Sequence, residues 1–293
     1  MSAYVRAQGD VMPALYAHFR FGEEVAKQLP LPYVNIIEKY PEAFALGTQG
    51  PDILCYYKPT QKNETNQRAP WLHDWIGEKF FLKHAKKLLQ NAPDGKVENL
   101  LDNNGAFAAY TIGVLCHFTL DATCHLYIDT TASDKLTHGK MESEFDKCIL
   151  RMDGKPIRGY NTATPILDTN GTREAAAKTM DVDEETISYC IKMMRKINKM
   201  FSFKCELVHT VLHFLLKLLK MERQFGDMFL HKKDDPLCKE TNRYLVENFH
   251  TAIPKGAALI PQYFENMRTW VENGRTENEL FRYDFSGIIT TEE

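Results

Sequence analysis

Between Tyr110 and Tyr127 nearly every position is apolar, Ile112, Val114, Leu115, Phe118 and Leu120 among them, and the polar interruptions His117, Asp121 and His125 fall four residues apart. That spacing predicts a helix buried on most sides, with the three polar side chains in one stripe, each displaced from the last by about 40° and about 6 Å. A second helix is expected from His138, where Thr137 or Asp134 can cap and Gly139 permits a tight entry; His138 and Glu142 repeat the four-residue step.

Upstream, Pro13 to Leu29 reads as a helix opened by Pro13 and stopped by Pro30 and Pro32, with His18 in its first two turns. A short helix near Val34 to Lys39 follows. Gly47-Thr48-Gln49-Gly50-Pro51-Asp52 reads as a loop, in which Asp52 either caps Ile53 to Tyr57 or is aimed into a cavity by the rigid Gly-Pro step. Lys58 to Arg68 is polar and expected to be exposed. Trp71 opens a helix that carries His73 and runs to about Leu89, and Pro93 to Gly105 reads as a loop.

Beyond Leu150, Arg151 to Asp181 is rich in Gly, Pro, Thr, Asn and Asp and reads as a long connection with one helical turn at Arg173 to Thr179. Asp183 to Met200 and Phe203 to Leu230 are expected as amphipathic helices, and Pro261 to Glu272 as a third. No stretch keeps a strand's alternation and no repeat occurs, so the fold class is all-α. The expected organisation is a metal-binding catalytic core over 1–150, a loop or lid over 151–182 and C-terminal helices over 183–293 packed on the core, within one domain overall.

Composition narrows this picture. A chain of 293 residues, 44% hydrophobic, can bury a large core, and a net charge of -3 supplies no global basic field for nucleic acid. Seven cysteines without a compact framework fit reduced thiols and a cytoplasmic location. Residues 1–10 lack the apolar run of a secretory signal, and Leu207 to Leu219, broken by His209, His213 and Lys217, is too short to span a bilayer, so no transmembrane segment is expected. Cys116 and Cys124 point away from the histidine stripe and read as core. His209 and His213 read as packing residues, and the row Lys192, Arg195, Lys196, Lys199 and Lys204 as a solvated face rather than one that meets anionic lipid.

The chemistry lies in the imidazoles and carboxylates. His117, Asp121, His125, His138, Glu142 and the less regular Glu144 suit Zn²⁺, with Mn²⁺ or Fe²⁺ as substitutes. Two ligands four apart can grip one ion, but His117 and His125 are about 12 Å apart along the axis, so Asp121 is the residue that can serve two. A carboxylate on so apolar a helix needs a cation beside it. Taken alone, His18 and His73 fit a packed histidine as well as a ligand.

Taken in order, His18, Gly50-Pro51-Asp52, His73, His117-x-x-x-Asp121-x-x-x-His125 and His138-x-x-x-Glu142 resemble the zinc-dependent phospholipase C family over roughly Pro13 to Leu150. The resemblance implies a multi-helix fold shared with helical single-strand nucleases. It implies that Asp52, His73, His117 and Asp121 hold one zinc, that His125, His138 and Glu142 hold a second, and that His18, with Asp121 as bridge, touches a third. In the secreted enzymes an N-terminal tryptophan completes that third site, whereas Trp71, Trp75 and Trp270 are internal here. The expected activity is a metal-dependent phosphodiester hydrolase of phospholipase C type, with a metal-activated hydroxide attacking phosphorus in line and Asp52 orienting or deprotonating the water. The expected partner is a phosphodiester substrate, a phospholipid foremost, and Trp71, Trp75, Tyr56 and Tyr57 are candidates for the mouth. The alternatives are a phosphodiesterase acting on nucleotides or single strands, and a non-catalytic metal- or partner-binding helical protein.

Overall fold

Capping side chains and glycines divide this chain into helices more finely than its apolar pattern suggests. The structure, a computed structural model, describes residues 14–219, 221 and 225–289. In order come α1 (Leu15–Ala26), α2 (Leu31–Lys39), α3 (Pro41–Gly47), a 3-10 segment at Gly50–Tyr56, α4 (Glu64–His73), α5 (Gly77–Leu89), α6 (Val97–Asn104), α7 (Ala106–Thr131), α8 (His138–Met152), α9 (Asn170–Met180), α10 (Glu184–Phe201), α11 (Glu206–Leu218) and α12 (Lys239–Asn273). Among the described residues there is no strand beyond one isolated bridge, Tyr283 to Ile289, and the all-α class holds.

Several boundaries differ from expectation for local reasons. Asn63 and Asn66 cap one another reciprocally, so a helix begins inside the polar stretch and His73 closes α4 instead of opening a longer helix. The helix expected over Trp71 to Leu89 is thereby two, with Gly77 opening α5. The expected loop Pro93 to Gly105 contains α6, and Asp52 sits within a 3-10 segment. Thr169 and Thr172 form another reciprocal cap, giving the connection after Leu150 a full helix, α9. Asp183 caps α10 through the Thr186 amide. Helix α11 is shorter than expected, and Pro13 lies outside the described residues.

Helix α12 starts well before Pro261 and runs through both Pro254 and Pro261. Each interior proline costs about 3 kcal/mol, and burial of Phe249, Ile253, Ile260, Tyr263, Phe264, Met267 and Trp270 along one face offsets it.

Helix α7 is the axis of the core. By length and composition it could cross a membrane, yet 89% of its most apolar window is buried inside the protein, as befits a central helix that is apolar all round. α3 crosses it backbone to backbone: a Cβ on Gly47 would lie 2.2 Å from the Tyr110 carbonyl oxygen, and one on Gly113 2.4 Å from that of Phe44. This contact brings the segment after α3, with Gln49 and Asp52, against the polar stripe of α7. One hydrophobic cluster extends from Leu15 to Phe285 and closes around it.

Candidate metal centre

The stripe on α7 is where four other elements deliver their polar side chains. Asp121 Oδ2 lies 3.0 Å from His117 Nε2 and 3.6 Å from His73 Nε2, while Oδ1 lies 3.2 Å from both His18 Nε2 and His125 Nε2. His73 Nε2 is also 3.1 Å from Asp52 Oδ1. On the far side, His125 Nε2 is 3.4 Å and His138 Nε2 3.2 Å from Glu142 Oε1. Of these residues only His138 is more than a tenth exposed.

Among the described residues three groups have ligand atoms all within 4.8 Å of one another: His18, His117 and Asp121; Asp52, His73 and His117; and His125, His138 and Glu142. The structure thus gathers all eight expected site residues. Glu144 is not among them; it pairs with the buried Lys147 at 2.6 Å, a half-turn away from the stripe. Trp270 packs on Tyr263 and Phe281, and Trp71 and Trp75 meet edge to face at the surface, so no tryptophan reaches the His18 group.

Backbone partners set the imidazoles. His73 Nδ1 lies 2.8 Å from the Ala69 carbonyl and His117 Nδ1 3.2 Å from that of Thr48, which fixes the proton on Nδ1 and turns the Nε2 lone pair inward. Gly50 makes the second arrangement possible. Its φ is +49°, and a Cβ there would lie 2.2 Å from the His117 ring, so only glycine allows the strand of backbone before Asp52 to pass under that imidazole. Phe285, whose amide donates to the His73 carbonyl, packs against both rings from below.

Two further carboxylates hold the frame and escaped the sequence analysis. Asp129 Oδ1 accepts from His138 Nδ1 at 2.8 Å. Asp146 accepts from the first-turn amides of α1, Tyr16 at 3.2 Å and Ala17 at 2.8 Å, and so seats His18 against α8. Both lie on the same four-residue step, Asp129 four beyond His125 and Asp146 four beyond Glu142, and that continuation is the signal that would have found them.

The electrostatics follow from crowding charge into a dry interior. Burial works to raise the Asp121 carboxyl, but the surrounding imidazoles of His117, His125 and His18 hold it well below the ordinary range. Asp52 is likewise lowered, with burial outweighed by His73. Burial drives His117 down, whereas His18, though buried, is raised by Asp121. Asp146, whose burial outweighs its two amide donors, is pushed up to about 8.

Whether a metal fits can be judged from the atoms that lack hydrogen-bond partners. His117 Nε2, His138 Nε2, both oxygens of Asp121 and both of Glu142 are buried without one among the described residues, an arrangement that is costly for a polar core and ordinary for a ligand set. Imidazole nitrogens and carboxylate oxygens are the donors that zinc takes.

Compared with known families, residues 17–200 match the one described as zinc dependent phospholipase C, well over half of the chain. The chain belongs to the zinc-dependent phospholipase C family. No curated protein and no solved structure matches it. The match extends past Leu150, where the resemblance in the sequence had ended, and so takes α9 and α10 into the phospholipase C-like region. Of these two helices α10 contributes to the mouth: a small hollow is lined by Ala14, Leu15, His18, Gln49, Asp52, Tyr56, Glu142 and, from α10, Met194. Of the aromatic residues expected there only Tyr56 lines it. Tyr57 stacks edge-on with Tyr189 instead, and Trp71 and Trp75 carry Arg68, Lys79 and Lys83 over their faces. His209 packs on Phe229 with Nε2 2.7 Å from the Phe203 carbonyl, far in the chain from the ligand set.

Proposed function

We propose that the protein hydrolyses a phosphodiester, a phospholipid foremost, at a zinc centre held by His18, Asp52, His73, His117, Asp121, His125, His138 and Glu142. The observation that carries this is the reach of Asp121, whose two carboxylate oxygens face four imidazoles drawn from all three ligand groups and so can bridge ions on either side. Asp52, His73, His117 and Asp121 would hold one zinc and His125, His138 and Glu142 another; His18, with Asp121, offers part of a third site. Bound there, zinc supplies Lewis-acid charge for the phosphoryl oxygens and lowers the pKa of a water molecule.

The chain's own groups complete the chemistry. Asp52 lines the hollow and is held ionised, so it can orient a water toward phosphorus, accept its proton as the new P–O bond forms and return that proton to the ester oxygen that leaves as an alcohol. Tyr56, kept protonated by burial, and Gln49, fixed by donating to the Leu15 carbonyl and the Thr48 hydroxyl, give the wall a defined polar side. Met194, Leu15 and Ala14 give it an apolar one that limits water. Seven free thiols support a reducing compartment, the cytoplasm, as the site of action.

The test is turnover of a choline phosphodiester, bis(p-nitrophenyl) phosphate and single-stranded DNA by purified protein, with and without chelator, alongside elemental metal analysis. Chelator-sensitive hydrolysis of the first two is expected. Activity confined to DNA would favour a nuclease, and stoichiometric metal with no hydrolysis at all would leave a metal-binding protein.

A further inference from the structure

Helix α11 lies beyond the residues matched to the family and presents an apolar face that stays exposed among the described residues. Leu207, Val211, Phe214, Leu215 and Leu218 recur along one stripe, and Leu207, Phe214 and Leu218 are 70%, 64% and 67% exposed. The opposite side is the one that packs: Leu216 and His209 are buried, with His209 and His213 against Phe229. So the outward leucines and phenylalanine are not a misplaced core but a surface feature with its own support.

We propose that this face of α11 docks the protein onto an anionic phospholipid bilayer. Three observations choose that occupant. First, the apolar run Leu207–Leu218 would measure about 18 Å as helix against about 30 Å of hydrocarbon, so it can lie in an interface but not cross it. Second, the chain is acidic overall, with net charge -3, yet between Lys192 and Leu219 the only acid is Glu206, and Lys196, Lys199 and Lys204 stand exposed just ahead of α11. Exposed lysines just ahead of an apolar stripe in the chain match a surface of acyl chains under anionic headgroups. Pairing of two copies through α11 would instead bring two such sets of lysines together.

Third, α11 is tied to the metal centre at both ends. Before it, α10 places Met194 in the wall of the hollow, and Asn198 donates to Tyr56. After it, the short turn Gly226–Met228 clamps α8: Asp227 accepts from Thr137, the cap of that helix, at 2.6 Å, and its carbonyl accepts from the Ser143 hydroxyl. A bilayer held by α11 would therefore be presented between the two elements that line and brace the ligand set. The choice of lipid as occupant rests on the hydrolase reading above; the docking itself is measured without turnover.

The experiment is sedimentation of the full chain with vesicles of phosphatidylcholine containing a quarter phosphatidylglycerol, and with phosphatidylcholine alone. It compares the wild type with Leu207→Ser/Phe214→Ser/Leu218→Ser and Lys196→Gln/Lys199→Gln/Lys204→Gln. Wild type should partition onto the anionic vesicles, and roughly tenfold less of the serine variant should follow. The glutamine variant should lose the preference for phosphatidylglycerol. Hydrolysis of bis(p-nitrophenyl) phosphate by the serine variant should match wild type, which separates docking from a folding defect. Equal partitioning of wild type and serine variant, or none by wild type, overturns the proposal. So does a wild-type dimer that the serine substitutions dissolve without any change in vesicle binding. Vesicle binding that persists in a protein without phosphodiesterase activity would sink the hydrolase reading and leave the docking in place.

Discussion

His117 Nε2 stands 3.0 Å from Asp121 Oδ2, one turn along α7, and neither atom has a hydrogen-bond partner among the described residues. The imidazole proton is committed to Nδ1 and the Thr48 carbonyl, burial disfavours a second, and the carboxylate is ionised. Two lone pairs so placed repel unless a cation lies between or beside them.

Asp121→Asn should accordingly remove most bound metal, because the amide can offer one neutral oxygen where the carboxylate offers two charged ones. Elemental analysis of the purified variant, with circular dichroism to confirm a helical fold, checks this. Full metal content in that variant would contradict the bridging role.

Asp129 should act through His138. Its carboxylate holds Nδ1 at 2.8 Å and leaves Nε2 for the metal, so Asp129→Asn is expected to weaken the His125, His138 and Glu142 site by roughly 10–100-fold. Competition with a chromophoric chelator would show one ion lost early while the remainder stays bound. An unchanged titration would mean that the ring needs no support.

Gly50→Ala should both strain the backbone and strike the ligand set. A side chain at φ +49° costs about 1–3 kcal/mol, and here the added Cβ would lie 2.2 Å from the His117 ring. Gly154→Ala is the control, with φ +64° and nothing within 4 Å of its Cβ. Thermal unfolding should fall in both variants, and metal content only in the first.

Metal-free protein should show a pH window of its own. Burial opposes charge on His138, yet Glu142 and Asp129 raise it to about 10, from an ordinary 6.5. Burial likewise opposes charge on Glu142, yet His138 and His125 hold it at about 2, from an ordinary 4.5. The raised histidine contributes fully below about 6.5 and loses its contribution as pH rises through about 10. The depressed glutamate contributes fully above about 4.5 and loses it as pH falls through about 2. Chelated protein should therefore have its highest melting temperature between these two ordinary values, and Glu142→Gln should flatten the acid limb.

The helical stripe was legible because spacing along one helix is a local property. His117, Asp121 and His125 had to share a face once residues 110–127 were helical, and His138 and Glu142 likewise. What misled the sequence analysis were elements set by side-chain caps and packing, such as α4, begun by the Asn63 and Asn66 pair, and α12, which carries Pro254 and Pro261 through its interior. Asp129 and Asp146 continue the same step, but Asp129, near the end of α7, also reads as solvated, and the α1 amides that Asp146 accepts from lie in a distant segment.

The sequence by itself determined the class of fold, the donor atoms and their order, because hydrophobic period and residue chemistry act over a few turns. Only the tertiary structure decided that Asp52 and His73 reach α7, that Glu144 does not, and that α11 turns its leucines outward. Those outcomes depend on contacts between distant segments, such as the passage of Gly47 across Gly113 and of Gly50 beneath His117, and close approach between backbones is not written in any local pattern.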